Sequence, residues 1–278
     1  MGKITAPDGT AIERFVVGFS GGKDSLATAL YCRDIGPTTL LHADTGWEHP
    51  GHRGYLEYAA NALGLPLVTV GRPGGMRQLC VDKQMFPSRT RRFCTSHLKI
   101  LPIAKHLAAQ DDEVVSVVGV RAAESAARAK LTEWTYFDEA DCWTWRPILK
   151  WSLGQVLAAI ADAGVELHPH YADGAARVGC YPCIFARKAE IAALPDERVE
   201  EIAALERDVE ALARDGGTRA FFHVADPVAP GGSGFVPIGR VVEWARTARG
   251  GRQCLLPLPV EAPCVAWGLC ERPEVSHG

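Results

Sequence analysis

A chain of 278 residues, 47% of them apolar, suits one large domain or one domain with an extension and can bury a full core. Its 30 Lys and Arg against 33 Asp and Glu leave a net charge of −3, which argues against broad nonspecific nucleic-acid binding but allows a local basic patch. No apolar run is long enough to span a membrane, MGKITAPDGT has no secretory apolar segment and Ala6 breaks the myristoylation pattern, so a cytoplasmic protein is expected.

Strand-like runs fall at 15–19 (FVVGF), 38–44 (TTLLHAD), 66–70 (PLVTV) and 113–120 (EVVSVVGV), with helix-like stretches near 24–34, 51–63 and 98–109 between them. This alternation predicts an α/β fold, a Rossmann-like parallel sheet of about five strands flanked by helices. Ligands in such sheets sit at the carboxyl ends of the strands, so residues 20–25, Asp44-Thr45-Gly46 and Arg121 are expected along one edge. Beyond residue 150 the pattern changes: an amphipathic helix over 152–164, a cysteine-bearing loop, charged helices, a Gly/Pro-rich loop at 226–237 and an irregular tail. The expected division is a nucleotide-binding domain over 1–175 and a helical, cysteine-containing part over 176–278 packed on it.

The segment Ser20-Gly21-Gly22-Lys23-Asp24-Ser25 stands between the first strand and the first helix. A glycine-rich turn entering a helix offers free backbone N–H groups and the positive end of the helix dipole to an anion. Ser20 and Ser25 add hydroxyl donors and Lys23 adds charge. Asp24 is repelled by phosphate unless a cation lies between, which points to Mg²⁺. The spacing is neither that of a Walker A loop nor G-x-G-x-x-G. The simpler alternative is a tight turn with a serine cap.

SGGKDS resembles the PP-loop of the N-type ATP pyrophosphatases, in the adenine nucleotide alpha-hydrolase superfamily. HADTGWEHP (42–50), RRFCTSHLKILP (91–102), GVRAAESAARA (119–129), WRPILKWS (145–152) and HPHYADGAARVGCYPC (168–183) resemble, in order, the motifs of one branch, the phosphoadenosine phosphosulfate (PAPS) reductase family. The resemblance implies that Ser20, Gly21, Gly22, Lys23, Asp24 and Ser25 bind the phosphates or sulfate of an adenine nucleotide. Gly119, Arg121, Glu124, Ser125 and Arg128 would then stand at the rim, with Lys23, Asp24 and Arg121 as the catalytic candidates. Guanidinium forks suit phosphate, and Glu124 can hold an arginine in place. The competing reading of Arg121 and Arg128 is solvated ion pairing at a helix start. Lys99, Arg91 and Arg92 are further sources of positive charge. Asp44 is read as a Mg²⁺ or ribose ligand, with an Asx turn as its alternative.

The odd total of nine cysteines does not describe a disulfide framework in a cytosolic chain. Cys180-Tyr-Pro-Cys183 is a C-x-x-C, a pattern shared by zinc, iron–sulfur and redox sites. Cys94 falls where the family has a cysteine pair, whose first member is Phe93 here. Cys94, Cys180 and Cys183 would then hold a [4Fe–4S] cluster with an open iron, or with Cys270 (or Cys264) as fourth ligand; a structural zinc on the same ligands and no metal at all are the alternatives. Cys32 and Cys142 are expected to be buried and inert.

Two reactions are implied. Thiol-dependent reduction of PAPS or adenylyl sulfate to sulfite would need a C-terminal Glu-Cys-Gly motif, whereas this tail reads Gly268-Leu269-Cys270-Glu271. ATP-dependent adenylation with sulfur transfer, of the nucleic-acid thiolation or phosphorothioation type, agrees better with the intact SGGKDS loop. A nucleotide-binding module without turnover is the third reading. The expected partners are an adenine nucleotide (ATP with Mg²⁺, or PAPS or adenylyl sulfate), a nucleic-acid substrate or sulfur-donor protein, and a second copy in a homodimer.

Overall fold

The computed structural model describes residues 4–110, 113–172, 175, 177–222 and 235–247. Its sheet has six strands in the order β3-β2-β1-β4-β6-β5. In chain order these are β1 (Arg14–Gly18), β2 (Thr38–Asp44), β3 (Leu67–Gly71), β4 (Val114–Val117), β5 (Trp134–Phe137) and β6 (Cys142–Trp145). All neighbours are parallel except β5 and β6. The helices are α1 (Lys23–Arg33), α2 (His52–Leu63), α3 (Gly75–Lys83), α4 (Phe93–Thr95), α5 (Leu101–Leu107), α6 (Leu153–Asp162), α7 (Lys188–Ala192), α8 (Asp196–Ala211) and α9 (Ile238–Arg246). A π-helical turn, Ser96–Ile100, joins α4 to α5.

The apolar run of β1 is continuous because both sheet faces are covered. Phe15 and Val17 join the core under α1, α2 and α6, while Val16 faces the core made by α5. β4 divides its side chains in the same way, with Val115 and Val117 on one face and Val114 on the other. Helix termini carry local signals. Gly64 closes α2 at φ 65°, and Ser152 opens α6 by accepting the Gln155 N–H at 3.2 Å while Gln155 reaches back to the Ser152 N–H at 2.8 Å.

Two elements carry no sequence expectation and a third, α9, corrects one. The β5–β6 hairpin extends the sheet beyond the strands read from sequence, with Trp134 and Trp145 stacked at 5.4 Å. Arg146, buried behind it, donates through Nη1 to the Thr132 carbonyl at 3.1 Å and to Thr135 Oγ1 at 3.0 Å, and burial lowers its pKa to about 10. Helix α3 begins between Gly74 and Gly75, both at positive φ, where turn residues obscure helical periodicity. Helix α9 is an amphipathic helix in the stretch read as an irregular tail.

A second apolar core joins residues from both sides of the expected division near 175. Trp47, Met76, Leu79, Phe86 and Leu98 pack with Ile184, Ile202, Leu205, Phe221 and Val241. Glu206 ties the far side of this core: its carboxylate accepts the Phe221 N–H at 2.8 Å and the Ile238 N–H at 3.0 Å. No helix among the described residues is long and apolar enough to cross a membrane.

Candidate functional site

The phosphate loop leaves β1 and enters α1 at the carboxyl edge of the sheet. Gly21 has φ 72°, a conformation natural to glycine, and a Cβ there would stand 3.1 Å from both His52 and Leu56. Ser25 Oγ donates to the Gly22 carbonyl at 2.9 Å and lies 3.3 Å from Ser20 Oγ. Thr28 Oγ1 donates to the Asp24 carbonyl at 2.8 Å. Gly119, just beyond β4, is forced by the same packing, since a Cβ would come within 2.7 Å of both Asp24 O and Thr28 Oγ1.

The charged rim assembles as a chain of ion pairs. Arg121 Nε donates to Asp24 Oδ1 at 2.5 Å, and Lys23 Nζ lies 3.4 Å from Asp24 Oδ2. Glu124 accepts the Arg121 N–H at 2.9 Å, pairs with Arg121 Nη2 at 3.5 Å and with Arg128 Nη1. Ser125 Oγ accepts the Arg128 N–H at 3.2 Å. Asp24, Arg121 and Arg128 are only 8%, 6% and 2% exposed, so these are not solvated surface pairs. Two cations stand beside Asp24 in this structure, the Arg121 guanidinium and the Lys23 ammonium, and they supply positive charge where the sequence suggested Mg²⁺.

Lys99, on the π turn, lines a cavity of about 60 Å³ behind the loop with Ser20, Ser25, His42 and Gly119. Arg92 stands elsewhere, 4.8 Å from the Phe185 ring, and Arg91 is exposed. Asp44 is exposed and its Oδ1 accepts the Gly46 N–H at 2.7 Å, the Asx turn anticipated as its alternative, with Gly46 at φ 62°. It also forms one wall of a 770 Å³ cleft that His42, Glu48, His49 and His52 share.

Four histidines form a layer that sequence reasoning left without a role. The Phe19 carbonyl at 3.0 Å accepts from His42 Nδ1. His168 Nδ1 accepts the His170 N–H at 3.1 Å, so its Nε2–H is the donor to His52 Nδ1 at 3.1 Å. Burial holds His52 neutral, with its pKa lowered to about 3, and lowers that of His42 as well. Two of these histidines lie 116 residues apart, and no local signal links them.

Below the histidines lies the cysteine loop, and its backbone is clasped. Trp47 Nε1 donates to the Pro182 carbonyl at 3.1 Å, and the Tyr181 N–H donates to the Trp47 carbonyl at 2.7 Å. Arg198 places its guanidinium 4.0 Å from the Trp47 ring and donates to the Tyr181 carbonyl at 2.7 and 2.9 Å. Glu48 orders the facing turn by accepting from Thr45 and from the Trp47 N–H. Trp47 and Arg198 are therefore the supports that sequence reading did not single out.

The cysteines divide by environment. Cys32, Cys80 and Cys142 are buried, and burial raises all three thiols, that of Cys142 to about 11. Cys94, Cys180 and Cys183 are partly exposed and border the second core. These three are the thiols named from the sequence, and their chemistry suits soft-metal ligation. Among the described residues no three Cys, His, Asp or Glu side chains stand gathered around one ion position. Cys264 and Cys270 lie outside the described residues.

The family model described as "Phosphoadenosine phosphosulfate reductase domain" matches residues 14–186. A protein of Escherichia phage 186, "Uncharacterized 37.8 kDa protein in gpa 5'region", is 33% identical over 86% of this chain and 90% of its own length. An adenosine 5'-phosphosulfate reductase of Streptomyces coelicolor is 26% identical over 62% of this chain and 71% of its own. The crystal structure of the Candida auris PAPS reductase is similar over 60% of this chain and 81% of that one, with 16% identity and a TM-score of 0.49. With the family model covering the sheet, the phosphate loop, the arginine rim and the C-x-x-C, this chain belongs to the PAPS reductase domain family.

Proposed function

We propose that this protein is a PP-loop enzyme that binds ATP with Mg²⁺, adenylates an acceptor and supports its replacement by sulfur. The observation that carries this reading is the intact SGGKDS loop, held open by Gly21 and coupled through Asp24 to Arg121. In the proposed reaction an acceptor oxygen attacks the α-phosphorus of ATP, the bond to the bridging oxygen breaks and pyrophosphate leaves. A sulfur nucleophile then forms the new bond to the activated carbon, and AMP departs with the oxygen. The acceptor class that suits this sequence of steps is a nucleobase carbonyl or similar group in a nucleic acid, with a sulfur-donor protein or small thiol supplying the sulfur.

The loop amides and Lys23 offer donors to the polyphosphate where charge develops on the leaving group. Arg121 and Arg128 are buried and already oriented by carboxylates, so they lose little conformational freedom on meeting phosphate. Cys94, Cys180 and Cys183 are the proposed holders of a [4Fe–4S] cluster or, alternatively, zinc, with Cys270 as the proposed fourth ligand. Such a cluster supplies an iron at which sulfur can be held.

Reduction of adenylyl sulfate or PAPS to sulfite is the second reading, favoured by the kind of relative named above. An anaerobic assay offering ATP, adenylyl sulfate and PAPS in parallel separates the two. Pyrophosphate and AMP from ATP are expected; sulfite from either sulfonucleotide with a thiol donor would replace this reading by the second.

A further inference from the structure

The turn Pro169–Tyr171 touches the phosphate loop at two points. Tyr171 Oη lies 3.1 Å from the Lys23 backbone nitrogen and accepts its N–H, 148 residues away in sequence. The same oxygen would stand 3.4 Å from a Cβ on Gly22, and the Lys23 ammonium lies 5.6 Å from the Tyr171 ring. At the other end of the turn, His168 reaches His52, whose Cε1 would stand 3.1 Å from a Cβ on Gly21.

Lys23 N–H opens α1 and is one of the amides that a glycine-rich loop turns towards an anion. The phenol oxygen that accepts this amide's bond stands where a phosphate oxygen would accept the same bond. One N–H directs its strong bond to one acceptor, so the hydroxyl and a phosphate oxygen compete for it. The chain continues from this turn to Cys180 and Cys183, both of which belong to the clasped loop.

We infer that Tyr171 is a positioning residue that occupies the Lys23 amide in the nucleotide-free protein and is displaced by the nucleotide's phosphate, releasing the 168–171 turn that leads to the cysteine loop. The inference rests on the proposed binding of a nucleotide at SGGKDS. It makes Tyr171 a competitor whose removal strengthens phosphate binding, which is the opposite of what a phosphate-contacting tyrosine would do.

The test compares the full-length wild type with Tyr171→Phe, which keeps the ring and removes the hydroxyl. Mg²⁺-ATP and inorganic pyrophosphate serve as probes, with affinity read by calorimetry and amide hydrogen exchange read on peptides covering 165–172. A single neutral hydrogen bond sets the scale, so Y171F is expected to bind both probes roughly fivefold more tightly. ATP is expected to accelerate exchange over 168–171 in the wild type, and Y171F is expected to show that faster exchange without ATP. Equal or weaker binding by Y171F, with the wild type binding normally, overturns the inference and leaves the nucleotide reading intact. If neither protein binds either probe, the nucleotide reading falls and the inference falls with it. Tyr171→Trp, which keeps an aromatic ring but cannot place an acceptor oxygen, should follow Y171F in exchange; wild-type exchange in that variant would also overturn the inference.

Discussion

At the phosphate loop the side chains themselves are bound: Asp24 to Arg121 and Lys23, Glu124 to Arg121 and Arg128, all at low exposure. At the cysteine loop the backbone of Tyr181 and Pro182 is bound instead, through Trp47 and Arg198, while Cys180 and Cys183 beside it, like Cys94 on α4, are partly exposed. The difference follows from what each group must meet. Buried charges destabilise a protein unless they are paired, so a site made of them is assembled before any ligand arrives. A neutral thiol carries no such requirement, so at the cysteine loop the order comes from the held backbone.

The largest effect on this contrast should come from Asp24→Ala. It removes the shorter of the two carboxylate contacts of the buried Arg121 guanidinium and leaves it Glu124 at 3.5 Å, a loss of up to about 3–5 kcal/mol, the usual cost of breaking a buried pair. Pyrophosphate release from ATP is expected to fall to background, and urea unfolding should report the stability loss. Activity equal to wild type would refute the role assigned to Asp24.

Acid should act next, through the histidine layer between the two regions. Burial disfavours the His52 cation in the folded protein and pushes its pKa down to about 3 from its ordinary 6.5. The unfolded chain therefore binds the proton first as pH falls below 6.5, and folding stability must drop from there towards pH 3. One such group contributes a slope of up to about 1.4 kcal/mol per pH unit. His52→Gln should flatten the pH dependence of the denaturation midpoint; an unchanged slope would assign it to the other histidines with lowered pKa, His42 among them, and to carboxylates.

Gly119→Ala should be smaller, on the order of 1–3 kcal/mol, because its methyl group meets the Asp24 carbonyl and must push α1 away from β4. Its nucleotide affinity should fall together with its melting temperature, which separates it from Tyr171→Phe, where affinity rises.

The smallest stability change is expected from Cys183→Ser, below about 1 kcal/mol for a partly exposed thiol. Cys80→Ser, which buries a hydroxyl in the second core, should cost about 1–3 kcal/mol. If Cys183 holds iron, the visible charge-transfer absorbance of anaerobically purified protein should be lost in Cys183→Ser and kept in Cys80→Ser. A colourless wild type with stoichiometric zinc would replace the cluster by the zinc alternative.

Much of this organisation can be read from local pattern. The apolar runs of β1, β2, β3 and β4 alternate with helical stretches, and each strand end carries its polar group a few residues later. The loop SGGKDS is legible as a strand–helix junction because its glycines, serines and lysine fall between an apolar run and a helical stretch. The partly exposed cysteines also coincide with those marked by motif position. The β5–β6 hairpin escapes because its short aromatic strands adjoin a motif that looks like a loop, and α3 because glycines interrupt its start.

What composition and spacing determined, then, is which elements form and which residue types gather at the strand ends, since both depend on neighbours within a few residues. Only the tertiary structure decided the pairings. Asp24 meets Arg121 across 97 residues, His52 meets His168 across 116 and the Lys23 amide meets Tyr171 across 148. Such contacts depend on the order of strands in the sheet and on the path of the chain after β6, and the energy of a buried charge or amide selects them only once the fold has brought the partners within reach.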